Sequence, residues 1–75
     1  MTVSRTQVIQ RLREAGFVFK EKAKHAEMWR KRGSVERVFV NLREQFDEQM
    51  VTVTLSQAGL TRQQINEFLA ACVKS

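Results

Sequence analysis

The stretch Met50-Val51-Thr52-Val53-Thr54-Leu55-Ser56-Gln57-Ala58-Gly59 decides the architecture of this chain. Val51, Val53 and Leu55 alternate with Thr52 and Thr54, and most of these side chains are β-branched. Propensity alone therefore reads a strand. Carried through to Ala58, the same stretch reads differently. Met50, Val51, Val53, Leu55 and Ala58 can cover one broad helical face, and Gly59 stands where a helix C-terminal cap belongs. The residues themselves leave both readings open.

The flanking segments are clearer. Downstream, Thr61 and Gln64 have capping-box spacing, and Ile65, Phe68, Leu69 and Cys72 form an apolar stripe, which predicts a helix over 62–73. Upstream, 42–48 is polar and reads as irregular. Before it, Val38 and Val40 alternate with Arg37, Phe39 and Asn41, which predicts a strand over 36–41. Arg32-Gly33-Ser34 is a turn signal, and 26–32 reads as the partner strand, with Trp29 on one face and Met28 on the other. Phe17-Val18-Phe19 reads as a further strand, joined to that hairpin by a charged connection over 20–24. The N-terminal segment is a helix over 5–15: Ser4 and Gln7 cap it, Val8, Ile9, Leu12 and Ala15 share a face, and Gly16 ends it. These elements predict an α+β domain. Its three-stranded antiparallel sheet is packed on helices, and its other face is open and basic.

Seventy-five residues allow a single domain, residues 1–75, with a thin core. Hydrophobic residues at 43% and charged residues at 28% fit a globular chain rather than a disordered one. No apolar run approaches the roughly 18 residues of a membrane span, and the start of the chain lacks a signal-peptide pattern. A single cysteine, Cys72, excludes an internal disulfide, so the expectation is a reduced, cytoplasmic protein. One His and one Cys do not make a structural zinc site, and no metal or cofactor motif is present. The net charge of +5 favours anionic partners: nucleic acid, an acidic protein or an anionic membrane surface.

Seven cations crowd the stretch from Lys20 to Arg37: Lys20, Lys22, Lys24, Arg30, Lys31, Arg32 and Arg37, interleaved with Glu21, Glu27 and Glu36. They read either as a patch that tracks phosphates or as a solvated sheet edge whose lysines discourage aggregation. Trp29 can stack on an unpaired base or anchor the sheet in the core. His25, beside Lys24, is the one imidazole, able to serve as a general acid or base or to stand inert at the surface.

One pattern goes further. Ala15-Gly16-Phe17, the basic stretch 20–24, Trp29, the hairpin about Gly33 and the box Gln57-Ala58-Gly59-Leu60-Thr61 together resemble the HicA toxins, small endoribonucleases (mRNA interferases) of bacterial type II toxin–antitoxin pairs. The resemblance spans nearly the whole chain, and the Gln57 to Thr61 box is its most specific part. It implies a double-stranded-RNA-binding-domain-like fold, and it resolves 50–58 as helix, giving the order α-β-β-β-α-α.

The resemblance also implies a catalytic His nine residues after the aromatic of the Gly-aromatic pair and three before the next aromatic. Counted from Phe17 and from Trp29, both flanks give position 26, which is Ala26. Either Ala26 replaces that His and leaves an inactive toxin, or His25 has taken over its role through a one-residue bulge. By the resemblance the chemistry is metal-independent cleavage of an mRNA phosphodiester. Lys20, Lys22, Lys24, Trp29, Arg30 and Lys31 would hold RNA, and an acidic HicB-type antitoxin would be the protein partner. The alternative is a non-catalytic, basic RNA-binding module of the same fold.

Overall fold

Ser4 has extended backbone, and its side chain accepts from the Gln7 N–H while the Gln7 side chain accepts from the Ser4 N–H. That reciprocal box starts α1 (Arg5–Glu14), which buries Val8 and Leu12 and packs Ile9 and Ala15 at the margin of the core. Gly16, at φ +95°, ends the helix in a conformation that costs a residue with a Cβ about 1–2 kcal/mol. This computed structural model describes residues 2–74.

The chain runs β1 (Thr2–Ser4), α1, β2 (Phe17–Lys22), β3 (Ala26–Lys31), β4 (Arg37–Asn41), β5 (Gln45–Asp47), α2 (Glu48–Gln57), α3 (Arg62–Lys74). The domain is α+β, with a three-stranded antiparallel sheet in the order β2-β3-β4 and three helices. Its core faces the helices and includes Phe17, Trp29, Val38 and Val40 from the sheet, Leu12 from α1, Val51 and Leu55 from α2, and Ile65 and Leu69 from α3.

Three expectations need correction. The order is longer than α-β-β-β-α-α: β1 and β5 form a second, antiparallel sheet in which Val3 pairs with Phe46. Both residues are buried, so the polar stretch 42–48 contributes a core aromatic and the first residue of a helix. The charged connection over 20–24 is shorter than expected, because β2 extends through Lys22, with a register shift between Phe19 and Glu21. Lys20 is the residue left over in that bulge.

The third correction concerns the deciding stretch, which is helical as expected but turned on its axis. Val51, Thr54, Leu55 and Ala58 are buried, a 3.6-period stripe, while Val53 is 50% exposed. Asp47 caps α2 by accepting from the Met50 N–H at 2.8 Å. At the other end the Leu60 N–H reaches the Leu55 carbonyl at 3.1 Å and the Gly59 N–H reaches the Ser56 carbonyl at 3.0 Å. With Gly59 at φ +83° this is a Schellman cap. Thr61 and Gln64 then cap α3 reciprocally, at 2.8 and 3.1 Å.

Candidate nucleic-acid interface

The pleat divides the basic stretch between two sides of the sheet. Directly opposed residues share a face. Phe17 opposes Lys31, Phe19 opposes Trp29, Trp29 opposes Val38, and Glu27 opposes Val40. These point to the helix side. On the outer side Val18 opposes Arg30, Arg30 opposes Arg37, Met28 opposes Phe39, and Ala26 opposes Asn41. Lys20, the extra residue of the bulge, joins Val18 and Arg30 around one hollow, and the register shift brings Glu21 to the outer side opposite Met28.

Of the residues expected to hold RNA, Lys20 and Arg30 therefore share the outer face. Lys24 lies in the β2–β3 turn. Lys22 stands opposite Glu27 on the helix-side register, and the stem of Lys31 lies against Gly16. Trp29 does not belong to an exposed surface: it is 3% exposed and packs in the core. The Phe19 ring meets it edge-on at 5.9 Å, the Arg13 guanidinium sits over it at 5.5 Å, and its indole N–H donates to Glu27 at 3.3 Å. A base cannot stack there, so Trp29 is corrected from RNA contact to core anchor.

Glu27 also pairs with Arg5, whose Nε donates to the Asn41 carbonyl at 3.2 Å. This polar chain ties the start of α1 to the ends of β3 and β4. It holds Asn41 directly across from Ala26. Beside that pair, Lys24, His25, Asn41, Leu42 and Arg43 line an open hollow of about 490 Å³. Asn41 Oδ1 accepts from the Arg43 N–H at 2.9 Å, which draws the loop after β4 around the hollow. The two residues expected at the catalytic position thus sit side by side. Ala26 heads β3 on the outer face, and His25 reaches the hollow from the turn. The register from Ala26 to Arg30 is regular, and the bulge lies in β2 at Lys20 rather than beside His25.

Among the described residues the ion pairs are Arg5–Glu27 and Arg11–Glu14, so none of the seven cations between 20 and 37 is paired. Among the same residues no three His, Cys, Asp or Glu side chains group as for a metal, and no helix is long and apolar enough to cross a membrane. Cys72 is half-buried against the core, and desolvation raises its thiol above the ordinary range. It stays protonated at neutral pH and is a poor nucleophile.

Asn41 and Arg43, which line the hollow at the β2–β3 turn, and the outer-face Phe39 were not singled out in the sequence. Phe39 is 51% exposed between Arg37 and Asn41. The alternation of Val38 and Val40 placed it on the side away from the core, but nothing in that pattern told an exposed aromatic from one covered by another element. No family model matches the chain, and a search of the curated proteins finds no relative.

Proposed function

We propose that this chain is a HicA-type toxin of double-stranded-RNA-binding-domain-like fold, an endoribonuclease acting on mRNA whose catalytic centre is impaired by Ala26. The observation that carries this reading is the hollow at the β2–β3 turn. It gathers two cations, an imidazole and a carboxamide beside the position where the resemblance expects a histidine. The helical 48–57 segment, closed by the Gly59 cap, is what the Gln57 to Thr61 box implied and supports the same reading.

Cleavage in this reading is attack of a ribose 2′-hydroxyl on the adjacent phosphorus, with a proton delivered to the leaving oxygen. That accounts for RNA over DNA. An imidazole at 26 would serve one of the two proton transfers, worth about 10²–10⁴-fold. Lys24 and Arg43 would neutralise charge that develops on the phosphoryl oxygens. Ala26 offers a methyl group and moves no proton. The unpaired cations also fit an acidic, HicB-type antitoxin that would cover the same surface.

RNA cleavage by three proteins tests this reading: the chain as it stands, Ala26→His and His25→Ala. Ala26→His should cleave about 10²-fold faster or more and arrest growth when induced alone. If the unaltered chain already cleaves and His25→Ala abolishes it, His25 is the acid–base group. If none of the three cleaves, the enzyme reading fails. The non-catalytic RNA-binding module then stands, a reading favoured by an outer face whose cations need no histidine.

A further inference from the structure

We propose that the outer face of the β2-β3-β4 sheet binds single-stranded RNA, with Phe39 as the platform for a base and Lys20, Arg30 and Arg37 on the flanking phosphates. This takes from the proposed function only that the ligand is RNA. It is independent of the cleavage chemistry.

The first observation is the Arg30–Arg37 pair. The two residues are directly opposed on neighbouring strands, and neither has a carboxylate partner among the described residues. Like charges placed directly across a ladder destabilise it. Glu21 lies on the same face opposite Met28, yet it forms no ion pair with either. A bound anion would relieve that repulsion.

The second observation is what lies beside the arginines. Phe39 and Met28 are directly opposed one step farther along the same face, and Phe39 is half exposed. An aromatic next to unpaired arginines suits a base with its phosphate better than it suits a run of carboxylates, which has no ring to offer.

The third observation is the shape of the face. Towards the β3–β4 turn lies an open hollow of about 590 Å³ lined by Lys20, Arg30, Arg32 and Ser34 among others. Towards the β2–β3 turn lies the hollow of His25 and Arg43. The face is thus basic, apolar and basic in sequence along β3, over about 17 Å at 3.3 Å per residue. Unstacked bases can lie on such a surface. Bases inside an A-form duplex, with its deep and narrow major groove, cannot reach Phe39.

Binding of a labelled eight-nucleotide oligouridine, followed by fluorescence anisotropy at three salt concentrations, tests the proposal against an eight-base-pair RNA duplex and a glutamate octapeptide. The oligouridine should bind at least about tenfold more tightly than the duplex. Phe39→Leu, which keeps the apolar bulk and loses the ring, should weaken it about tenfold, and Phe39→Trp should restore it. Arg30→Gln and Arg37→Gln should each lower the slope of log K against log salt by about 0.7. Far-UV circular dichroism confirms that each variant is folded. Equal or tighter duplex binding, unchanged oligouridine binding by Phe39→Leu, or peptide binding with the same dependence on Phe39 overturns the proposal. An Ala26→His protein that cleaves RNA while Phe39 proves irrelevant removes this inference alone. An inert Ala26→His protein whose oligouridine binding still depends on Phe39 removes the enzyme reading alone.

Discussion

Two stretches of this chain carry nearly the same pattern and fold differently. Arg37-Val38-Phe39-Val40-Asn41 and Val51-Thr52-Val53-Thr54-Leu55 both alternate at period two and are both rich in β-branched residues. The first is β4. Val38 and Val40 are 0% exposed while Phe39 is 51% exposed, so its alternation is the burial pattern itself. The second is the middle of α2, where Val51, Thr54 and Leu55 are buried and Val53 faces out. The difference lies at the ends of the segments. β4 follows the Gly33 turn and has β3 as a partner along its length. The second stretch has an Asp47 cap before it and a Gly59 cap after it, and Thr52 Oγ1 donates back to the Glu48 carbonyl at 2.9 Å. Capped ends and a core-facing stripe at 51, 54, 55 and 58 outweigh strand propensities whose whole range is about 1 kcal/mol.

Proline separates the two stretches most sharply. Val53→Pro removes an interior helical hydrogen bond and should cost about 3 kcal/mol or more, enough to unfold much of so small a domain. Phe39→Pro should cost clearly less, because the Phe39 N–H lies at the sheet edge with only a 3.4 Å bond to the Gln57 side chain. Urea unfolding of the two variants ranks them, and the opposite order would mean that the stretch around Val53 is not helical.

A hydroxyl in place of a methyl probes the two alternations next. Val38→Thr buries an unpaired polar group and should lose about 1–3 kcal/mol. Val53→Thr, at an exposed site, should stay within about 0.5 kcal/mol. Equal losses at both positions would place Val53 in the core.

The smallest effects come from the caps. Gly59→Ala should destabilise by about 1 kcal/mol through its positive φ rather than through a clash, since the nearest atom to an added Cβ is Glu36 Oε2 at 3.9 Å. Asp47→Ala should lose about 1 kcal/mol or slightly less. Thermal melts at neutral pH check both.

Much of the fold was legible because its signals are local. The Ser4 and Thr61 capping boxes, the glycines at 16 and 59, and the stripes of α1 and α3 each act within a few residues, where hydrogen-bond geometry leaves little choice. The candidate site was legible only in part. The cations and His25 were visible as residues, but the face each occupies was not. A single bulge at Lys20 sets which charges turn outward, and no propensity marks a bulge. Trp29 could be read either way, because an indole suits a core and a base equally well until its neighbours are known.

By itself, then, the sequence determined a small, basic α+β domain with its helix ends, its hairpin and its alternating strands, all consequences of contacts between near neighbours. Only the tertiary structure decided the rest. It paired Val3 with Phe46, making two short strands from segments too brief to show a period. It turned Val53 outward and Thr54 inward, because the rotation of a helix is set by the sheet it packs on. It buried Trp29 under Arg13 and left Phe39 on the open face beside two opposed arginines. Each of these depends on residues far apart in the chain, whose closeness no local pattern encodes.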